Sequence, residues 1–435
     1  MNNIVYNSVN FKTNKPKMFV IAASPYSVEN FNELYSDFEI GVITSFFQKS
    51  LPPNTIVINP DLKKDISKRF IVQNNFEQPY LISKLASEDE GLKKIIDTVL
   101  LNDSVVYMKP LTMNQGMQFE NPRIITLAPS FESVNYFDNK LENKKLLNGK
   151  VPLNNPVITS KDELSDVVKR LDKGAGVAVA VELGGGGTGI KRIQNQNQLK
   201  NWIKEKGDVP YIVETWLDDA SSLSTYSIVD IFGNVLSGPI SEMVLRNQTS
   251  WCGTGYNNQK QSFSEDFKTY LDIIGGELKN NKLPYLGMWG TDFLKNNSIY
   301  FIEINPRSGG TSLEVALHMD KLNPERKKFM DVEAQALLGN QIDTNYLVDS
   351  DDFVWKKQVY KLPHAVKIVG DFPVKSKKDS FNDLEGGIFG VHEKGTIIPA
   401  EEPICNILSI AENEINRSIQ EINLTNMVKS YIKKV

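Results

Sequence analysis

Two apolar segments joined by a short polar one restrict this chain more than any other feature. Leu286-Gly-Met-Trp-Gly-Thr-Asp-Phe-Leu294 is followed by Lys-Asn-Asn-Ser298 and then by Ile299-Tyr-Phe-Ile-Glu-Ile-Asn-Pro-Arg307. The pattern predicts a β-hairpin. With 295–298 as the turn, Leu294 faces Ile299 and Asp292 faces Phe301. Glu303 is then the diagonal neighbour of Asp292 on one face, and Asn305 lies two residues further along that face. Three oxygen-bearing side chains converging in this way suit Mg²⁺, or Mn²⁺, which takes oxygen ligands and keeps nucleotide phosphates as partners. Arg307 comes next on the same face, placed to meet developing phosphoryl charge. A merely solvated face would carry mixed Lys and Glu, not Asp, Glu, Asn and Arg among Phe, Ile and Tyr. Ser308, Gly309 and Gly310 then lead into a stretch with helical spacing, 312–319. Free N–H groups at that helix start suit an anion such as a carboxylate or an acyl phosphate.

Composition narrows the chemistry further. The chain of 435 residues has two cysteines, Cys252 and Cys405, and three histidines, His318, His364 and His392. That is too few for a disulfide scaffold or a Cys/His zinc site. Carboxylates, basic residues and backbone amides must do the work. Lys and Arg total 49 against 53 Asp and Glu, a net charge of −4. Such a balance argues against nucleic acid as a partner, because phosphate neutralisation needs a cationic surface. No apolar run reaches the ~18 residues of a membrane span, which argues against a membrane partner. The start, MNNIVYNSVNFKTNKPK, has no apolar signal core. A cytoplasmic protein is expected.

The length predicts about three domains. Residues 1–135 read as an open α/β domain. Apolar runs at 18–23, 40–43, 55–58, 104–108 and 124–127 look like buried parallel strands, with helical spacing over 90–101. A core of 136–340 follows, its first lobe about 140–213 and its second about 218–340. In the first lobe, 138–147 has helical spacing and Ser160-Lys-Asp-Glu163 is a capping box. Strands are expected at 177–183, 190–193 and 211–214, with a helix at 198–206. Residues 341–435 form a small C-terminal α+β segment, closing with an amphipathic pattern over 407–432.

Gly184-Gly-Gly-Gly-Thr-Gly189 admits several readings. A P-loop fails, because Ile190-Lys191 stands where Lys-Ser/Thr is needed. A dinucleotide fingerprint through Gly184, Gly186 and Gly189 needs a helix opening at the last glycine, and Ile190-Lys-Arg-Ile193 looks extended instead. Two readings stay open at this point. One is a loop whose backbone N–H groups wrap phosphate oxygens. The other is a flexible surface turn.

Taken together, Gly290-Thr-Asp-Phe293, Phe301-Ile-Glu-Ile-Asn-Pro-Arg307, the loop 184–189 and Ile212-Val-Glu-Thr-Trp-Leu217 resemble the ATP-grasp superfamily in order and spacing over roughly 138–319. The overall layout most resembles the amino-acid and peptide ligases of the pheganomycin type. The resemblance implies ATP between two α+β lobes, with Gly185, Gly186, Gly187, Thr188 and Gly189 closing over its phosphates. It implies a hinge at Glu214, Trp216 and Leu217 that binds adenine through its backbone, and Asp219 at the ribose. The family's usual phosphate-binding lysine on the strand before the loop falls at Ala180 here. Lys140, Lys144 and Lys145 on the preceding helix and Lys191 after the loop are the nearby cations, with Lys140 and Lys144 as the cofactor-binding choice.

The implied activity is an ADP-forming ligase that joins a small-molecule acid to an amine, such as an amino acid or peptide, through an acyl phosphate. Arg246 is a candidate for the substrate carboxylate or an ordinary surface arginine. Ser308, Gly309 and Gly310 are candidates for substrate contact, and Trp251-Cys252-Gly253 for shaping the acceptor pocket. His318 is expected to be packed rather than catalytic. A homodimer is a further expectation. A non-catalytic nucleotide-binding module and an NAD-dependent oxidoreductase are the competing classes. A biotin-dependent carboxylase is a further option within the superfamily, although no Met-Lys-Met acceptor is present.

Overall fold

The computed structural model describes residues 5–6, 9–22, 34–44, 54–57, 86–111, 117, 119–258, 264–373, 375–392 and 394–435. The strand-ending pairs Ser24-Pro25 and Asn59-Pro60 lie outside these residues. The N-terminal sheet contains β1 (Val5–Tyr6), β2 (Lys17–Ile21), β3 (Glu39–Thr44), β4 (Thr55–Val57), β5 (Val106–Pro110) and β6 (Ile124–Thr126) in the order β1-β4-β3-β2-β5-β6. Apart from β1, its pairs are parallel. Every residue of β2 is buried, as a strand covered on both faces requires. Helix α1 (Glu90–Leu100) starts where the Asp89 carboxylate accepts the N–H groups of Gly91 and Leu92.

The chain continues through α2 (Phe131–Asp138) and α3 (Lys140–Leu147). The single helical stretch expected over 138–147 is thus broken at its start. Asn139 ends α2, and its Oδ1 caps α3 by accepting from Leu141 N at 2.9 Å. A four-stranded sheet follows, built from β7 (Val157–Thr159), α4 (Leu164–Leu171), β8 (Val177–Val181), β9 (Ile190–Ile193), α5 (Gln196–Lys206) and β10 (Tyr211–Thr215), with strand order β7-β10-β8-β9. The capping box does not form. Residues 161–163 make a separate turn, so α4 begins at Leu164 with no side-chain cap.

Next come β11 (Ser221–Val229), β12 (Val235–Ser237), β13 (Ser241–Arg246), β14 (Ser250–Tyr256), α6 (Glu265–Asn280), β15 (Gly287–Lys295), β16 (Ile299–Asn305), α7 (Ser312–Leu322) and α8 (Phe329–Leu337). The remaining elements are β17 (Val354–Lys361), β18 (Val366–Ile368), α9 (Lys377–Asp383), β19 (Gly387–Phe389), β20 (Ile397–Ile398), β21 (Pro403–Ala411), α10 (Glu414–Ser430) and β22 (Ile432–Lys434). The large sheet runs β16-β15-β11-β13-β14-β17-β21-β19, with β12 beside β11, so strands from beyond Gln341 extend the sheet that carries the carboxylates. Beneath it Leu271, Ile274, Trp289 and Phe293 pack into one fully buried cluster. The amphipathic pattern of 407–432 resolves into a buried strand followed by α10, whose Ile415, Ile419 and Ile422 face solvent. No helix among the described residues is long and apolar enough to cross a membrane.

Candidate functional site

The hairpin forms, but with a tighter turn than its four polar residues suggest. Lys295 pairs with Ile299, so the turn is Asn296–Ser298, closed by Asn296 N–H donating to Ser298 O at 3.1 Å. Phe293 faces Phe301, and a β-bulge then places Asp292 directly opposite Glu303. The bulge absorbs Ile302 as the extra residue. Asp292 therefore faces a carboxylate rather than Phe301, which brings the acids closer than the diagonal placement would. Asn305 Nδ2 donates to Asp292 Oδ2 at 3.1 Å, and Asn305 Oδ1 accepts from Arg307 Nη2 at 3.2 Å. The other arm of the Arg307 guanidinium is held by Asp138 at 2.5 Å, at the end of α2.

Two acids facing each other in a buried wall cannot both ionise freely. Burial, with Glu303 adding to it, pushes the Asp292 carboxyl up to about 7. Burial works on Glu303 too, but the Lys140 ammonium at 2.8 Å and the Arg307 charge outweigh it and hold that carboxyl low. A set of two carboxylates and one amide oxygen, short of positive charge, fits a hard divalent cation that completes its shell with phosphate oxygens. Among the described residues no group of three or more His, Cys, Asp or Glu side chains is placed to hold a metal ion.

The glycine loop faces this wall. Gly184, Gly186, Gly187 and Gly189 line the same cavity as Asp292 and Glu303; Gly185 and Thr188 shape the turn instead, with Thr188 Oγ1 donating to Gly185 O at 2.9 Å. Gly187 has φ +88°, and a Cβ there would run into the Thr249 carbonyl in the β13–β14 turn. Only glycine allows this approach. The loop passes directly into the extended β9 and not into a helix, which removes the dinucleotide-fingerprint geometry. Lys140 Nζ reaches both Glu303 Oε2 and Gly184 O, at 2.8 and 2.7 Å. Lys144, four residues on and so on the same helix face, pairs with Glu214 at 2.8 Å. Lys145 instead forms an exposed pair with Glu142. Lys191 turns to the other face of β9 and lies 5.8 Å from the Trp202 ring centre.

Ala180 is buried and faces Ile190 across β8 and β9. A cation nevertheless reaches this wall of the cavity. Arg192, opposite Ala178, lies with its guanidinium 4.8 Å from the Trp216 ring centre and donates to Asp218 Oδ1 at 2.9 Å and to Gln248 Oε1 at 3.3 Å. Sequence reasoning missed Arg192. Its only signal was its position two residues after Ile190, which in an extended strand returns it to the face of Ala180. The segment Glu214, Trp216, Leu217 and Asp219 lines the cavity as well, and Asp219 adopts a left-handed φ of +59° as the chain turns into β11.

The remaining wall comes from β13, β14 and the start of α7: Met243, Leu245, Trp251, Thr254, Gly309 and Gly310. Tyr226 from β11 packs its hydroxyl against Gly309, and its phenol is pushed up to about 12, by burial first and by Asp292 second. Arg246 does not join this wall. It alternates with Leu245 to the other face and pairs with exposed Glu401 at 2.6 Å. Cys252 is also turned away, its thiol donating to Val244 O and pushed up by burial. Trp251 does line the cavity. Ser308, between the lining residues Arg307 and Gly309, is not itself part of the lining, and its hydroxyl lies 3.9 Å from Met288 Sδ. His318 is fully buried between Val348 O and the Trp355 indole, and burial lowers it to about 4, as a packed histidine requires.

These walls enclose one cavity of about 530 Å³. No family model matches the chain. A curated relative, the carbamoyl phosphate synthase large chain of Buchnera aphidicola subsp. Acyrthosiphon pisum, is 24% identical over 206 residues, which are 45% of this chain and 18% of that protein. Solved structures cover the chain almost end to end. An L-amino acid ligase from Bacillus licheniformis superposes with TM-score 0.57 at 13% identity, covering 98% of this chain and 99% of its own. N5-carboxyaminoimidazole synthase from Aspergillus clavatus, in complex with ADP and its ribonucleotide, gives TM-score 0.55 at 14% identity over 96% and 99%. A biotin carboxylase–ATP complex from Campylobacter jejuni gives 0.61 at 13% over 96% and 92%.

Proposed function

We propose that this chain, which has the ATP-grasp fold, is an ATP-dependent, ADP-forming carboxylate–amine ligase. The observation that supports this best is the convergence of Asp292, Glu303, Asn305 and Arg307 in one cavity wall, facing the glycine loop and adjoining the 214–217 hinge. ATP is a substrate in this reading. Its adenine lies against the backbone of Glu214, Trp216 and Leu217, its ribose near Asp219, and its phosphates under the glycine loop beside Lys140. Asp292, Glu303 and Asn305 would hold one or two Mg²⁺ ions, whose charge screens the phosphates.

The chemistry proceeds in two displacements. A substrate carboxylate oxygen attacks the γ-phosphorus, the bond to the bridging oxygen breaks, and ADP leaves. Arg307 meets the charge on the transferring group, and positioning supplies most of the rate. The amine nitrogen then attacks the acyl carbon, inorganic phosphate leaves, and the amine loses a proton to solvent. The glycine loop, seated on Thr249, keeps water from the acyl phosphate. Amino-acid or peptide substrates, and segment boundaries near Asn135 and Gln341, are the finer part of the proposal.

A coupled ADP-release assay over pools of amino acids and small acids tests it. ADP release that depends on both an acid and an amine is the expected result. Glu303→Gln should lower Mg²⁺-dependent turnover by about 10²-fold or more in a folded protein. Full activity in that variant sinks the metal assignment. Tight ATP binding by calorimetry with no ADP from any pool would favour a non-catalytic nucleotide-binding module.

A further inference from the structure

Behind the Gly309–Gly310 turn lies a second cluster of charge, outside the cavity wall. Glu314, in the first turn of α7, has no solvent exposure. Two lysines from the C-terminal segment converge on it. Lys377 Nζ, at the start of α9, is 2.7 Å from Glu314 Oε1, and Lys357 Nζ, from β17, is 3.2 Å from Oε2. Both lysines are buried. Lys357 also donates to the carbonyl oxygen of Gly310.

One acid with two buried lysines is more cation than pairing needs, and burying each ion costs several kcal/mol. Lys377 alone would neutralise Glu314. The second lysine brings a contact with a residue of the cavity wall. The Gly310 carbonyl belongs to the peptide that carries the Thr311 N–H, and in a trans peptide the two point in opposite directions. Fixing the carbonyl on Lys357 therefore aims the Thr311 amide the other way. There the Tyr226 hydroxyl, which packs on Gly309, lies near the amide and side chain of Thr311, and both pull its phenol down against burial. Gly310 is also covered by the Trp251 indole, so a Cβ would come within 2.7 Å of Cη2. The peptide is held from three sides.

We propose that Lys357 is a positioning residue whose ammonium, anchored by Glu314, fixes the Gly310–Thr311 peptide and through it the Tyr226 hydroxyl in the cavity wall. Its catalytic consequence rests on the ligase reading; the contact itself does not. Burial pushes the Lys357 ammonium down to about 8, although Glu314 pulls the other way, and Lys377 adds to the push. Glu314 from α7 and Lys377 from α9 are the charged groups facing it. Turnover that depends on this cation falls as pH rises through about 8.

The test uses the full chain with Lys357→Met, Lys357→Arg and Lys377→Met. Turnover, KM for ATP, the pH profile, thermal stability and amide hydrogen exchange over 308–313 are measured. Lys357→Met should lower kcat by about tenfold or more while KM for ATP moves less than about threefold, and should speed exchange in that segment. Lys357→Arg should recover part of kcat and move the alkaline limb upward. Lys377→Met strips a cation from Glu314 but spares the Gly310 contact, so it should lose similar stability and less turnover. Equal losses of kcat in Lys357→Met and Lys377→Met, tracking stability, would overturn the proposal in favour of a structural role. If the wild type releases no ADP with any substrate pair, the ligase reading fails by itself. Exchange then decides: faster exchange in Lys357→Met alone upholds the positioning role, and unchanged exchange overturns it.

Discussion

Two buried clusters of acids and lysines stand on either side of the 306–311 turn, and they are unbalanced in opposite senses. Asp292 and Glu303 share the wall with Lys140, and Arg307 beside them pairs with Asp138, so three acids meet two cations. Glu314 is shared by Lys357 and Lys377, so lysines outnumber the acid. The consequence shows in the acids. Asp292 is pushed up to about 7 by burial and its facing carboxylate, whereas Glu314, buried at least as deeply, is held down to about 2 by its two lysines. In the proposed reading, the cluster short of positive charge takes up a cation. A cluster with a surplus is complete as it stands and serves as fixed framework. The same residue types thus give a ligand site or a structural clamp, depending only on the count of charges.

The largest effect expected from this contrast is on stability. Glu314→Gln leaves two buried lysines without their acid and should cost about 3–5 kcal/mol in urea unfolding. Glu303→Gln relieves a carboxylate pair while depriving Lys140 of a partner, and should change stability by less than about 1 kcal/mol. Equal costs in the two variants would break the comparison.

The pH dependence sharpens it. Because the Glu314 carboxyl is depressed in the folded chain, its contribution is present above the unfolded value of 4.5 and is lost as pH falls toward about 2. Urea midpoints for the wild type should fall over that window, and the fall should shrink in Glu314→Gln. The smallest effect is expected at Lys145, on the same helix as Lys140 and Lys144 but exposed and paired only with Glu142. Lys145→Ala should leave the urea midpoint unchanged within the scatter of the measurement.

Much of this was legible before any coordinates. The β15–β16 hairpin followed from two apolar runs around a polar turn, and α7 from the spacing after Gly310. The identities of Asp292, Glu303, Asn305 and Arg307 pointed to one face. Their register did not. Whether Lys295 belongs to the turn or to the strand depends on twist and packing around Phe293 and Phe301, and one bulge changes every partner beyond it. Which of the two open readings of Arg246 holds, and which residue of 251–253 meets the cavity, stayed undecided for a related reason. A period of two tells which residues share a face, not which face meets the cavity. Arg192 stayed hidden because its setting depends on Ala178, Trp216 and Gln248, brought together by three separate segments.

The sequence by itself determined the open α/β sheet, the carboxylate hairpin and the glycine loop, because those rest on local periodicity and on what glycine permits. Only the tertiary structure decided that Asp292 faces Glu303, that Lys140 is spent on Glu303, and that Lys357 and Lys377 meet Glu314 from 43 and 63 residues away. Long-range pairing of charges is settled when sheets and helices pack. Nothing in the local run of residues records which lysine a buried acid will find.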